Sequence, residues 1–172
     1  KKVSDLGNNT YCVEFAVPLD VMRQATKTVS DDIYVAIARD ESMEYNTGLA
    51  TGTKAGRTDS ESFVYVPKFK TSVAVKVGDK TFTDWNNVSR KAANTSTDST
   101  CNLYATRSSE RLYTLVTNDL GGLGTVNTYF LDTVSGGYEV SGYQGVDYLV
   151  KDGKLYQVTG KNTLSEPLDE VW

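Results

Sequence analysis

The fold is indicated first by residues 10–19, which read TYCVEFAVPL. Every second residue from Tyr11 to Val17 is large and apolar, and side chains alternate between the two faces of a strand. Pro18 closes the stretch, because proline has no N–H to offer to a sheet. Residues 20–25 then have room for only one or two helical turns. This region therefore predicts a half-buried strand followed by a short helix.

Short stretches of the same alternating kind recur along the chain, with turn signals about every ten residues and no sustained helical period. They lie at 33–38, 62–66, 72–77, 102–106, 111–116, 128–132, 147–150 and 155–158. Residues 39–61 are polar and glycine-rich, which predicts a long loop. The pattern predicts an all-β protein. We expect a single antiparallel β-sandwich domain over residues 1–172, jelly-roll-like, with at most one or two short helical turns.

Composition narrows the classes of function. The chain has 172 residues, a net charge of −4 and scattered Lys and Arg, so it lacks the cationic surface that nucleic acid requires. No apolar stretch approaches the roughly 20 residues of a membrane-spanning helix. The absence of histidine excludes Ser-His-Asp, Cys-His and zinc-water catalysis. Glycoside hydrolysis by two carboxylates stays open by composition, but no acid-and-nucleophile motif is recognisable, and we expect no enzymatic activity.

The two cysteines, Cys12 and Cys101, allow two interpretations. They form a disulfide if their strands are adjacent, or they are separate thiols packed as small hydrophobic side chains. Neither has His or Cys neighbours at the spacing of a zinc site.

Five segments resemble motifs of family-9-type carbohydrate-binding modules and their DOMON-like relatives. VGDKTFTDW at 77–85 is similar to the family's DGxFxDW opening, and LY at 112–113 to its LY strand. YFLDT at 129–133 resembles the yIDTD strand, and GVDYLV at 145–150 resembles GaDYLI. YCVEFAVPL at 11–19 resembles the YxVExAIPL strand. Together the segments span most of the chain, and the resemblance implies a β-sandwich that binds carbohydrate.

The order of these motifs is circularly permuted relative to the family. Residues 1–70 carry the closing half of the family domain, and residues 72–172 carry the opening half. The chain then either spans parts of two tandem repeats, or is one permuted domain with neighbouring termini. We expect the second arrangement, since residues 169–172 followed by residues 1–3 make a natural run into the first strand.

The resemblance directs attention to aromatic side chains in loops. The C–H-rich face of a pyranose stacks on a ring, while its hydroxyl groups need polar partners nearby. The candidate sugar-binding residues are Tyr45 and Arg57 in the long loop, and Tyr138, Tyr143 and Gln144 in the glycine-rich segment. The alternative is that these tyrosines only cover strand edges.

Two further roles are predicted. Trp85 stands where the family has a structural aromatic residue, so we expect it in the core rather than in a binding platform. The family's structural calcium sites imply Asp132 as an oxygen ligand of calcium, together with Asp147 and Glu139. The alternative is that these carboxylates accept hydrogen bonds from turn amides.

Two functional hypotheses follow. The first is a non-catalytic carbohydrate-binding module of a secreted or cell-surface bacterial protein that degrades glycans. It would be extracellular, a monomeric module of a larger protein, and would bind polysaccharide or oligosaccharide. The second is a structural or adhesive spacer repeat without a sugar ligand. Exposed rings lining one surface favour the first hypothesis, and rings buried beneath a polar surface favour the second.

Overall fold

Strands make up most of the residues that the computed structural model describes. The residues that the structure describes are 3–5, 11–26, 33–39, 64–66, 75–77, 82–88, 90–95, 100–118, 126–133 and 136–171. The strands, in chain order, are β1 (Val3–Asp5), β2 (Tyr11–Pro18), β3 (Ile33–Arg39), β4 (Val64–Val66), β5 (Arg90–Thr95), β6 (Thr100–Arg107), β7 (Arg111–Asn118), β8 (Val126–Asp132), β9 (Tyr138–Val140), β10 (Tyr143–Val146), β11 (Tyr148–Lys151), β12 (Lys154–Gly160), β13 (Thr163–Leu164) and β14 (Asp169–Glu170). The helix α1 spans Leu19–Thr26, and a 3-10 helix spans Thr83–Asn87.

The strands form two main sheets and a small ribbon. The first sheet has the order β1-β2-β7-β6-β5. The second has the order β13-β12-β11-β8-β3-β4, with β14 also beside β12. Among the described strands, β9 and β10 pair with each other and form the small ribbon. The pairings are antiparallel throughout. The predicted all-β antiparallel fold class is confirmed, and so is the short helix after Pro18.

The main core lies between the two sheets. Alternate residues of β2 point into this core. Phe15 is one of them, and it belongs to one apolar cluster with Leu103 of β6 and with Tyr129 and Val150 of the second sheet. The rings of Phe15 and Tyr129 meet edge to face, with centroids 4.2 Å apart. Because one apolar cluster joins both sheets, the sheets pack as a sandwich.

The outer face of the first sheet is also covered. Val75, Trp85 and Val88 pack there against Cys12 and Leu115. Trp85 is buried, and its Nε1 donates to Glu14 Oε1 at 2.7 Å. The expectation that Trp85 is a core residue is confirmed.

The sheet order decides between the two interpretations of the cysteines. Cys12 pairs with Thr117 and Cys101 pairs with Asn118, so β7 lies between the two cysteine-bearing strands. Two interstrand spacings amount to about 10 Å, which exceeds the Cα separation of roughly 7 Å that a disulfide tolerates. The disulfide interpretation is therefore wrong, and Cys12 carries a buried thiol.

The strand predicted at 72–77 is not found in its described part. Residues 75–77 form no strand, because the backbone N–H of Lys76 donates to Asp84 Oδ2 at 2.6 Å while Val75 packs near Trp85. Residues 72–74 and most of the predicted long loop at 39–61 lie outside the described residues. Five described elements were not predicted as strands: β1, β5, the β9–β10 ribbon, β13 and β14.

The two described ends of the chain lie along the same edge of β2. Val3 pairs with Val13, and the backbone N–H of Ala16 donates to Val171 O at 2.9 Å. β1 runs antiparallel to β2, so extending β1 backwards from Val3 leads toward Val171. The two described ends are therefore neighbours, as the interpretation of the chain as one permuted domain requires.

Candidate functional site

The β9–β10 ribbon lies on the outer face of the second sheet and carries three of the predicted binding residues. Its two strands join through a two-residue turn in which Ser141 has φ 50° and Gly142 has φ 87°. Positive φ at both central positions is the requirement of the tight hairpin turn that matches strand twist. The ribbon is thus a hairpin rather than an irregular loop.

One face of the ribbon is anchored on the outer face of the second sheet. Val140, Tyr143 and Val146 are buried there together with Phe130 and Leu149. The ring of Tyr143 stacks on Phe130 with centroids 4.2 Å apart and an angle of 19° between the planes. Tyr143 is only 3% exposed. It therefore anchors the ribbon and presents no open ring face, because cross-strand pairing with Val140 turns it inward.

Tyr138 has the opposite environment. It lies at the start of β9, opposite Val146, and is 47% exposed. Among the described residues, Tyr138 and Tyr34 are the exposed large hydrophobic side chains, with Tyr34 at 36%. A tyrosine with an accessible ring is the group that stacks on a sugar.

A network of polar groups joins the ribbon to the turn after β12. Glu139 Oε2 accepts from Lys161 Nζ at 3.0 Å and from Gln144 Nε2 at 3.2 Å. The Lys161 hydrogen bond and then the Gln144 hydrogen bond hold the pKa of Glu139 below its ordinary value, so this carboxylate is ionised at neutral pH. Asn162 ties the turn to this network, since its N–H donates to Glu139 O and its Oδ1 accepts from the N–H of Ser141.

Two glycines allow the chain to cross itself at the base of the ribbon. A Cβ at Gly137 would collide with the carbonyl group of Gly145. Both residues have positive φ, +53° and +74°, which other residues rarely adopt. A Cβ at Gly145 would in turn lie 3.4 Å from Asp132 Oδ2. The base of the ribbon therefore lies against Asp132.

Asp132 ends β8 and faces Tyr34 across the β3–β8 pair. Burial, and then the negative charge of Asp147, raise the pKa of Asp132 to about 6. Asp147 itself is held by Thr133, whose N–H and Oγ1 both donate to Asp147 Oδ2, at 2.7 Å and 3.1 Å. The two carboxylates are thus neighbours, and Asp147 already accepts a hydrogen bond from the backbone N–H of Thr133.

The predicted calcium role of Asp132 stays a prediction. Within the described ranges, no three His, Cys, Asp or Glu side chains group closely enough to hold a metal ion. Glu139, the third suggested oxygen ligand, is bound by Lys161.

The predicted sugar-binding residues separate into three groups. Tyr138 and Gln144 lie on the exposed part of the ribbon, and Tyr143 lies beneath it. Tyr45 and Arg57 lie outside the described residues. Tyr34 was missed, although alternation in β3 places it on the face opposite to the buried Ile33 and Val35, a signal present in the sequence. Lys161 and Asn162 carry no such signal, because only the packing of β12 beside β9 brings them to the ribbon.

Comparison with known proteins gave no match, whether with family models, curated proteins or solved structures. The similarity to carbohydrate-binding modules thus rests on the sequence motifs. No helix of the described chain combines the length and the apolar character needed to cross a membrane.

Proposed function

We propose that this protein is a non-catalytic carbohydrate-binding module of a secreted or cell-surface bacterial protein that acts on glycans, and that the β9–β10 ribbon binds polysaccharide. The observation that carries the proposal is the exposed ring of Tyr138 on a ribbon that also carries the hydrogen-bonded Glu139 and Gln144. A ring face on the ribbon, together with donors and an ionised acceptor from the ribbon and from the turn after β12, matches the two kinds of surface that a pyranose presents.

The ribbon is also ordered in a way that favours binding. Tyr143 and Val140 fix its lower face, and the Asn162 bonds fix its turn. Groups held in place before binding lose less conformational entropy when the ligand arrives.

A second aromatic side chain extends the surface along the sheet. Tyr138 follows Gly137, and Gly137 lies against Gly145 at the base of the ribbon. Gly145 in turn lies against Asp132, which pairs with Tyr34 in the neighbouring strand. Tyr34 pairs with Asp132, and Tyr138 begins the ribbon strand whose base lies near the same carboxylate. This arrangement suits a linear glycan with sugar units at both rings.

Affinity electrophoresis through gels containing starch, xylan or β-glucan tests the proposal. We expect retardation in at least one gel, weaker retardation of Tyr138→Ala, and unchanged retardation of Tyr138→Phe, which keeps the ring face. Stacking on one ring contributes about 0.5–1.5 kcal/mol, so Tyr138→Ala should weaken binding roughly two- to tenfold. Unretarded wild type in all three gels, or Tyr138→Ala migrating like wild type, would contradict the proposal.

The spacer hypothesis has one observation in its favour, the burial of Trp85 and Tyr143. The neighbouring ends oppose it. A spacer gains length when its two ends lie at opposite poles, whereas Val3 and Val171 both lie along β2. The same gels separate the two functions, because a spacer predicts no retardation in any of them.

A further inference from the structure

The inner face of β6 carries a buried arginine at its last position. Arg107 is 5% exposed, although it lies in the space between the sheets where β6 otherwise contributes Leu103 and Ala105. Its Nε donates across the sandwich to Val66 O of β4 at 3.1 Å. Arginine is almost never this buried without partners for its charge.

The rest of the guanidinium is not matched by the protein. Among the described residues, the bond to Val66 is the one that Arg107 makes, and no carboxylate lies within ion-pair distance of it. Because Nε is engaged, the two terminal amino groups remain for another acceptor. These two groups form the fork that binds a planar carboxylate through two parallel hydrogen bonds.

A second polar group lies on the same inner face. Thr114 of β7 is fully buried, and its Oγ1 has no hydrogen-bond partner among the described residues. Arg107 pairs with Leu112 and Thr114 pairs with Ala105, so the two polar residues are diagonal neighbours on adjacent strands. Diagonal neighbours lie about 7–8 Å apart, within reach of one small ligand for a side chain as long as arginine. Buried polar groups without partners are rare in proteins and point to a missing acceptor.

We propose that the end of β6 is a second binding site, in which the Arg107 guanidinium holds the carboxylate of a small acidic ligand and the Thr114 hydroxyl donates to it. The carboxylate comes either from a sugar acid or from a simple organic acid. The site is independent of the proposed glycan surface, because it lies between the sheets and the ribbon lies on the outer face of the second sheet.

The thermal stability of the full chain tests this site. A ligand that binds the folded state raises the melting temperature in proportion to the logarithm of its concentration above Kd. The probes are sodium galacturonate and sodium acetate, compared with sodium chloride at equal ionic strength and with glucose. We expect a rise with at least one carboxylate and none with glucose or chloride. A larger rise with galacturonate identifies a sugar acid, and an equal rise identifies the carboxylate alone.

Two variants connect the response to the site. Arg107→Lys keeps the charge but loses the fork, so the concentration that gives half the rise should increase at least about tenfold. Arg111→Lys, the matched control on an exposed arginine of β7, should respond like wild type. If Arg107→Lys does not fold, the Arg107 side-chain signals in a nitrogen NMR spectrum of the wild type must move on addition of the carboxylate.

Two results would overturn the inference: a wild type that responds to neither carboxylate, or an Arg107→Lys variant that folds and responds as the wild type does. Tyr138→Ala should keep the full response. Failure of the glycan proposal and failure of this one are therefore distinguishable.

Discussion

Replacing Asp132 with Asn should stabilise the protein at pH 7.5 and have little effect at pH 4. Burial and the charge of Asp147 raise the pKa of Asp132 from 3.8 to about 6. The folded protein therefore binds the Asp132 proton more tightly than the unfolded chain does. The ionised carboxylate destabilises the fold above pH 6, and this penalty is relieved as the pH falls from 6 toward 4.

The size of the effect follows from the shift. A shift of about two pKa units corresponds to a ceiling of about 3 kcal/mol at roughly 1.4 kcal/mol per unit. Asp132 is only half-buried, and water screens part of its charge, so we expect about 1 kcal/mol at pH 7.5. Asn is neutral at every pH and close in shape, so it should remove this penalty.

Urea unfolding at pH 4 and pH 7.5, with a chelator present, measures the effect. The stability difference between Asp132→Asn and wild type should grow by about 1 kcal/mol between the two pH values. Glu166→Gln, which removes an exposed carboxylate away from the ribbon, is the control and should show no such growth. An equal difference at both pH values, or a variant less stable than wild type at pH 7.5, would refute the assignment of the penalty to Asp132.

Three further predictions concern the fold that supports the site. Trp85→Phe removes buried volume and the hydrogen bond to Glu14, and should lower the free energy of unfolding by about 3 kcal/mol in urea titrations. Gly137→Ala should lower the free energy of unfolding by about 2 kcal/mol or more, because Gly137 has a positive φ and its new Cβ would collide with the backbone of Gly145. The control is Gly160→Ala, whose Cβ would make an ordinary contact of 3.5 Å with Thr163, and it should change the free energy of unfolding by less than about 1 kcal/mol. Joining residue 172 to residue 1 should give a closed chain with an unchanged circular dichroism spectrum. Its melting temperature should be higher, because closure restricts the unfolded state. A closed chain that loses its native spectrum would contradict the placement of the ends along β2.

Hydrophobic periodicity predicted those strands in which every second residue is apolar and buried on one face of the sheet. β2 and β3 are such strands, and Trp85 was assigned to the core correctly. The segment at 75–77 has the same alternation but forms no strand, because Asp84 takes the N–H that a sheet would need. A side chain that competes for a backbone group leaves no trace in the hydrophobic pattern.

The site was harder to predict than the fold, and two tyrosines show why. Tyr138 and Tyr143 lie five residues apart in the same glycine-rich segment, yet one is exposed and the other is buried against Phe130. Alternation places Tyr138 on the same face of β9 as Val140, and Val140 pairs with Tyr143, so periodicity does not separate the two rings. Their difference depends on which part of the ribbon packs on Phe130 and Leu149, a tertiary contact that composition alone could not supply.

The sandwich itself limits where a polymer can bind. Its two inner faces are joined in one apolar core, so a polymer cannot lie between the described parts of the two sheets. The outer face of the first sheet is occupied by the cluster around Trp85. On the outer face of the second sheet the ribbon covers Phe130 and Leu149, but Tyr34 and Tyr138 remain exposed. Among the described surfaces, this last one combines accessible rings with polar partners, so a polysaccharide that binds the protein through them must lie across the ribbon and β3.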